Sequence, residues 1–308
     1  MKTLVTGGAG FIDSNLVKQL LDDGHEVIVL DNLMSGYRYN LNPFPDVRFI
    51  KGDVRDPAVV SQAVNGIEVI FHLAASVGNT RSIEHPIEDS EINIIGTLQV
   101  LEAARQHSVL KVFFSSSTGI FGELKTLPIR EDHPVEPDSP YGASKLAAEK
   151  LCLAYSKLYN IEVVCLRYFN VYGPNQRYDA YGNVIPIFAY RLLHHLPLII
   201  YGDGEQTRDF VNVRDVAQAN YKPAMSQVVS GAFNIASGYS ITIERLAELM
   251  LGASGIQVKI EHGPPRQGDV RFSLADISAA RLALGYEPTV SLKEGLEESF
   301  QWAKQEIV

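Results

Sequence analysis

Cysteine is nearly absent. Cys152 and Cys165 are the only two in 308 residues. One lies in a helix-like run and the other in an apolar strand-like run. Both read as reduced core residues, and a disulfide framework is excluded. No apolar run is long enough for a membrane span, and the first residues, with one Lys before a strand-like run, show no signal-peptide pattern. Basic charge is not in excess either: the formal net charge is −9. That argues against nucleic-acid binding, which needs a basic surface, but leaves room for a small anion held by a few arginines. Histidine offers one adjacent pair, His194-His195, without spaced Cys or carboxylate partners, so no metal site is expected. Repeats and low-complexity stretches are missing as well. What remains is a cytoplasmic globular chain, 46% hydrophobic and 20% charged, long enough for one large or two medium domains.

The chain opens on a short apolar strand, Thr3-Leu4-Val5-Thr6, which runs into Gly7-Gly8-Ala9-Gly10-Phe11-Ile12-Asp13. A helix pattern follows (Leu16, Val17, Leu20, Leu21), then the strand Glu26–Asp31. Strand, Gly-rich turn, helix and strand within about 30 residues is the setting a dinucleotide fingerprint requires. Gly7 and Gly10 permit a tight turn and close approach of a pyrophosphate to the helix N-terminus. Asp31 closes the second strand 21 residues after Gly10, where a carboxylate accepts from ribose hydroxyls and favours NAD over NADP. One residue departs from the pattern. Asp13 stands at the third glycine position, adding bulk to a tight helix–strand contact and negative charge near phosphates, although helix N-termini otherwise favour negative charge. Cofactor affinity is the property it puts in question.

The alternation continues: strands at Val47–Ile50, Val69–Ala75, Val109–Phe114 and Glu162–Arg167, with a helix from Glu91 to Gln106 carrying Asn93. This indicates an α/β fold with a doubly wound parallel sheet. Ligands of such sheets bind beyond the C-terminal strand ends. The Gly turn, Asp53-Val54, Leu73-Ala74-Ala75 and Ser115 to Thr118 all fall there. Next comes Ser139-Pro140-Tyr141-Gly142-Ala143-Ser144-Lys145, and from Leu146 to Tyr159 there is no Gly or Pro. Tyr141 and Lys145, four apart on one helix, face the same way. A tyrosine titrates near pH ~10, and a cation beside it lowers that value. Reaching ~7 takes about 4 kcal/mol, at ~1.4 kcal/mol per unit; a partly desolvated ammonium, joined by a second positive charge such as an oxidised nicotinamide, supplies it. Alone, Tyr-x-x-x-Lys is equally an aromatic packed inward beside a solvated lysine. Alone, the serine run is equally a polar loop. After Pro174 the rhythm loosens into shorter elements, among them a strand and turn at Ile199–Gly204 and helices at Ile243–Leu251 and Ile277–Leu284.

Together these stretches resemble the extended short-chain dehydrogenase/reductase family, and most of all its nucleotide-sugar 4-epimerases. The similarity runs through Gly7–Ile12, Asp31-Asn32-Leu33, Gly52-Asp53-Val54, His72–Ala75, Ser115–Ser117, Tyr141–Lys145 and Leu166–Pro174 to Gly202-Asp203-Gly204, Arg208-Asp209-Phe210 and Arg266–Val270. It implies a Rossmann NAD-binding domain over residues 1–170, a return segment near 209–235, and a smaller mixed α/β substrate domain over 171–308. It implies that Tyr141 is the base, that Lys145 tunes it and binds the nicotinamide ribose, and that Ser117 holds the reacting sugar oxygen. Gly7, Gly10, Phe11 and Ile12 then hold the pyrophosphate. Asp31, Asn32, Ser35 and Gly36 surround the adenosine ribose, and Asp53 and Val54 lie at the adenine. Leu73, Ala74 and Ala75 line the cofactor path, with Asn93, Ser115 and Tyr168 completing it. Asn170, Asn183, Val184, Tyr201, Arg208, Arg266 and Asp269 fall to the nucleoside diphosphate of the substrate, Thr118 and Ser273 to its sugar. A homodimer through the helices of Asn93 and Tyr141 is implied too.

The reaction the resemblance implies is 4-epimerisation of a UDP-sugar through a transient 4-keto intermediate, with NAD as internal redox cofactor and the remote UDP keeping the intermediate captive. UDP-glucuronate is an alternative substrate, since Thr118 and the serines are placed to hold a carboxylate. Dehydratases of this fold carry an Asp-Glu pair just after the strand-end hydroxyl, and decarboxylases usually the Glu; here those places are Thr118 and Gly119. A non-catalytic dinucleotide sensor is a further alternative, supported only by Asp13. Ser273 stands where a strict glucose/galactose enzyme has a bulky tyrosine, so UDP-GlcNAc and UDP-GalNAc are the expected sugars, with UDP-Glc and UDP-Gal beside them.

Overall fold

The computed structural model describes residues 1–177, 183–225, 230–265 and 270–306. From the N-terminus, β1 (Lys2–Thr6), α1 (Phe11–Asp22), β2 (Glu26–Asp31), β3 (Arg48–Lys51), α2 (Pro57–Val64) and β4 (Val69–His72) alternate. Two short helices, α3 (Asn79–Glu84) and α4 (Pro86–Ser90), lead through a π-helical turn, Glu91–Gly96, into α5 (Thr97–Gln106). The helix expected from Glu91 therefore begins as a wider turn around Asn93. β5 (Lys111–Ser117), α6 (Pro140–Leu158) and β6 (Glu162–Tyr168) follow. The second half holds β7 (Asn170–Tyr172), α7 (Val184–Leu193), β8 (Leu198–Tyr201), β9 (Thr207–Asn212), α8 (Val213–Ala224), β10 (Gly231–Ile235), β11 (Ser240–Thr242), α9 (Ile243–Ser254), β12 (Ile260–Gly263), α10 (Ser278–Leu284) and α11 (Leu292–Glu306).

Seven strands pair in parallel in the order β10-β6-β5-β4-β1-β2-β3. Alternate residues feed opposite layers, as strand geometry requires. Val5, Phe71 and Phe113 pack on one side of the sheet, and Leu4, Ile70 and Phe114 on the other. Helices cover both faces, which is why these strands read as continuous apolar runs. The chain leaves the sheet in opposite directions from β1 and β4, so the crevice beyond those two ends is where a ligand is received.

The smaller part is built from the sheet β11-β9-β7 and the pair β12-β8, around Leu192, Leu198, Phe210, Leu246 and Phe300. The return to the main sheet runs through α8, which packs on α1, and β10, which pairs with β6. β9, at the start of the expected return segment, pairs instead with β7 and β11.

Candidate active site

The site begins where α6 begins. Ser139 Oγ accepts from the Gly142 main-chain N–H at 3.1 Å, and Pro140 occupies the first turn, where its missing N–H costs nothing. This cap starts the helix just ahead of Tyr141. Gly142 has no room for a side chain, because a Cβ there would collide with the Gly119 carbonyl oxygen. The bare backbone lets α6 lie directly on the turn that follows β5.

Three successive serines at the end of β5 meet three residues of one α6 stripe, each a turn apart. Ser117 is hydrogen-bonded to the Tyr141 phenol. Ser115 Oγ accepts from Lys145 Nζ at 3.4 Å. Ser116 Oγ donates to Glu149 Oε2 at 2.6 Å. The Lys145 ammonium lies over the Phe114 ring, 4.5 Å from its centroid, and is 2% exposed. Glu149 takes two hydrogen bonds from Arg167 of β6, at 2.8 and 3.0 Å, both side chains being buried. This strut clamps α6 to β5 and β6. It was missed at the level of sequence, although Glu149 follows Lys145 by the same four-residue step that paired Lys145 with Tyr141.

Burial sets the titration of both groups. It pushes the Lys145 ammonium down to about 8, against the nearby carboxylates Asp89 and Asp13. It pushes the Tyr141 phenol above its ordinary value, with the Ser117 hydrogen bond opposing and Asp89 adding to the rise. In the chain alone the phenol is thus set by burial, Ser117 and Asp89, and the expected lowering concerns the pair with a positive cofactor ring beside it. Desolvation outweighs what the Ser117 hydrogen bond returns.

Behind the pair runs a buried polar network. Ser144 Oγ donates to Asp89 Oδ2 at 2.6 Å and accepts from Asn93 Nδ2 at 2.9 Å. Asn93 also accepts from Ser76 N and donates to Ser76 O. All of its side-chain hydrogen-bonding groups are thus engaged by the protein, and it shapes the Leu73–Ser76 loop from behind. His72 bridges Thr6 and Thr97, and burial drives it down to about 3, so it stays neutral.

The dinucleotide end is assembled by the Gly turn. Gly7 has φ +79°, and a Cβ on it would lie 2.9 Å from the Ala74 main chain. Phe11 and Ile12 open α1, both half-buried. Asp31 accepts from Ala9 N at 3.0 Å and Leu33 N at 2.7 Å; burial raises its carboxyl while those bonds oppose. A Cβ on Gly36 would lie 2.8 Å from the Ala9 carbonyl carbon, so the loop after β2 folds directly over the turn, with Ser35 exposed beside it. Asn32 donates to Asp53 at 3.0 Å, and Asp53 is paired with Arg55 at 2.7 Å, which holds its carboxyl down to about 2. Val54 is buried against Gly96. Leu73, Ala74 and Ala75 leave β4 across from the turn, Leu73 buried and the alanines partly open. The Tyr168 hydroxyl exchanges hydrogen bonds with Asn220 of α8, at 2.8 and 3.0 Å. It points into the main domain, so Tyr168 offers its ring and not its hydroxyl to a neighbour.

In the smaller part a cleft of about 230 Å³ is lined by Asn170, Asn183, Val184, Tyr201 and Arg208, with Phe210 at its floor. Arg208 donates to the Thr207 and Val270 carbonyls at 2.7 and 2.6 Å, tying β9 to the segment before Ser273. Ser273 is buried, its N–H directed to Thr207 Oγ1 at 3.3 Å. Thr118 opens a 3₁₀ turn, Thr118–Ile120, beside Ser117. Arg266 and Asp269 lie outside the described residues.

A model of the NAD dependent epimerase/dehydratase family matches residues 3–236. The chain belongs to that family. NAD is its cofactor, and the residues fit it: the turn at Gly7 and Gly10 is bare of side chains of its own, and Asp31 stands at the end of β2 beside it. Among relatives, a putative UDP-glucose 4-epimerase of Methanocaldococcus jannaschii is 39% identical over 306 residues, 98% of each chain. The UDP-glucose 4-epimerase of Thermotoga maritima, solved with UDP-glucose, is 38% identical with a TM-score of 0.95, covering all of both chains. A UDP-N-acetylglucosamine 4-epimerase of Methanobrevibacter ruminantium, solved with UDP-N-acetylmuramic acid, is 36% identical with a TM-score of 0.95, covering 99% of this chain and 98% of that one.

Proposed function

We propose that this protein is a UDP-sugar 4-epimerase, with UDP-GlcNAc and UDP-GalNAc as its substrates and UDP-Glc and UDP-Gal beside them. Tyr141 takes the proton from the C4 hydroxyl and later returns it. Ser117, bonded to the phenol, holds the same sugar oxygen. Lys145, held over Phe114, keeps positive charge at the cofactor end of the site. NAD, when bound, supplies the hydride acceptor and donor and a positive ring. The cleft around Asn170, Asn183 and Arg208 takes the nucleotide. With the nucleotide held there, the sugar is free to present either face to the phenol.

The observation that carries the reading is at Gly119. A Cβ there would lie 3.4 Å from both Ser117 Oγ and the Tyr141 ring. A carboxyl acid at this position would reach the reacting carbons, and elimination of water needs such an acid. Glycine offers none, nor does Thr118, which leaves the phenol, with Ser117 and Lys145, to a reversible alcohol oxidation. The choice of N-acetyl sugars rests on the small side chain of Ser273. Incubation with a panel of UDP-sugars, products read by NMR and mass, tests the reading: an epimer of unchanged mass supports it, and loss of water or CO₂ overturns it.

We also infer a homodimer. Ile83, Ile87 and Ile95, at 65, 76 and 45% exposed, form an apolar face around α3, α4 and the π-helical turn, and a monomeric mass in light scattering would refute it. No helix among the described residues is long and apolar enough to cross a membrane; a cytoplasmic site of action is part of this proposal.

A further inference from the structure

Asp13 is the one residue of the Gly turn region whose presence the proposed reaction does not use. It sits in the first turn of α1, a 12-residue helix whose N-cap, Gly10, has no side chain to satisfy the first N–H groups. Its carboxyl folds back over that turn. A Cβ on Gly10 would collide with Oδ2, and one on Gly7 would lie 3.3 Å from Oδ1. The residue is 9% exposed, and Oδ1 has no hydrogen-bond partner. An acceptor thus stands unpaired over the glycine turn, at a helix N-terminus, the place where a diphosphate is received.

We propose that Asp13 is itself a cofactor ligand, a carboxylic acid that is neutral in the complex and donates its O–H to a diphosphate oxygen, so that NAD bound at a pH where the empty site is ionised brings one proton from solvent with it. An ionised carboxylate there would face the anion with like charge and offer only acceptors to an acceptor. A carboxylic acid reverses this and gives both of its oxygens a role. The groups that face Asp13 bear on the proton in opposite ways. Asp31 of β2 favours its retention, Lys145 of α6 opposes it, and the Tyr168 phenol of β6 is pushed up by Asp13 in turn. Burial is the largest influence and holds the carboxyl well above the ordinary range before any anion arrives. A diphosphate can only raise it further.

The test is calorimetric titration of the full chain with NAD across about pH 6 to 9, in two buffers of different ionisation enthalpy. The proposal expects proton uptake that grows toward one as pH rises and the empty site ionises, and a Kd that weakens with it, at most about tenfold per unit. Asp13→Asn and Asp13→Gly, which keep Asp31 and Lys145, should lose most of both effects and bind NAD at least as well at the alkaline end. A flat wild-type profile with no proton uptake overturns the proposal. So does an equal slope in Asp13→Asn, which would assign the proton to Asp31 or Lys145. Binding by Asp13→Gly alone would show the carboxyl to be a plug, and binding by none of the three would show that the turn holds no dinucleotide; either result also overturns it. The wild-type proton count needs no variant, so it decides the matter even if both substitutions disturb folding.

Discussion

Glu149→Gln should destabilise the protein by about 3 kcal/mol without enlarging any cavity. The substitution keeps the shape of the side chain and removes only its charge. Glu149 is fully buried, and Arg167 is 4% exposed. Losing one member of a buried pair costs ~3–5 kcal/mol, because the surviving charge is left uncompensated. The lower end applies here, since Arg167 Nη1 retains the Glu131 carbonyl at 2.9 Å. An amide also turns an N–H₂ toward a guanidinium, donor against donor, while Ser116 keeps an acceptor. Thermal unfolding should drop by roughly 6–12 °C, at ~2–4 °C per kcal/mol for chains of somewhat smaller size. The double variant Glu149→Met with Arg167→Met should recover most of this, as buried pairs replaced by apolar groups are often neutral. A loss below about 1 kcal/mol for the single change, or a double variant worse than the single, would refute the view that the strut is held by mutual neutralisation.

Tyr141→Phe should lower kcat by roughly 10²–10⁴, the usual worth of a positioned base, while NAD binding measured by calorimetry stays within a few-fold. Lys145 loses its proton as pH rises through about 8, so kcat/KM should fall on that alkaline side; Lys145→Arg, which stays charged, should move the fall to higher pH even at reduced rate. Gly119→Ala should be tolerated, its Cβ meeting neighbours at ordinary contact. Gly142→Ala should cost about 1–3 kcal/mol by forcing α6 off the Gly119 carbonyl, and comparing the two melting temperatures checks it.

Much of the scaffold was legible because its signals are local. β2 ends at Asp31 as expected, since the apolar run Val27-Ile28-Val29-Leu30 leads unbroken to that carboxylate. The start of α6 was marked by Ser139-Pro140, a cap and a first-turn proline. The π-helical turn at Glu91–Gly96 was not legible, because its apolar spacing fits an ordinary helix; Gly96 packed on Val54, far away in sequence, is part of its setting. The pairing of β9 with β7 and β11 was equally hidden, since nothing in Thr207–Asn212 itself says which sheet it joins. Asp89 was missed for a related reason. Only the fold brings α4 against Ser144, and nothing near Asp89 in sequence announces that it will face Tyr141 and Lys145.

The largest difference between sequence and structure lies in the order of two protons. Separately, tyrosine and lysine titrate close together, at ~10 and ~10.4, and proximity alone would draw the phenol down. In the folded chain burial moves them apart, because it disfavours the charged form of each: phenolate for one, ammonium for the other. Lys145 at about 8 becomes the more acidic, and Tyr141 rises. Raising the pH of the protein alone therefore removes the ammonium before any phenolate forms. A further positive charge entering beside the phenol would favour release of its proton. In the proposed reaction, proton abstraction would thereby be tied to occupancy of the redox seat. On that proposal, a sugar hydroxyl meeting Tyr141 in the absence of a hydride acceptor would find a weak acid and not a base.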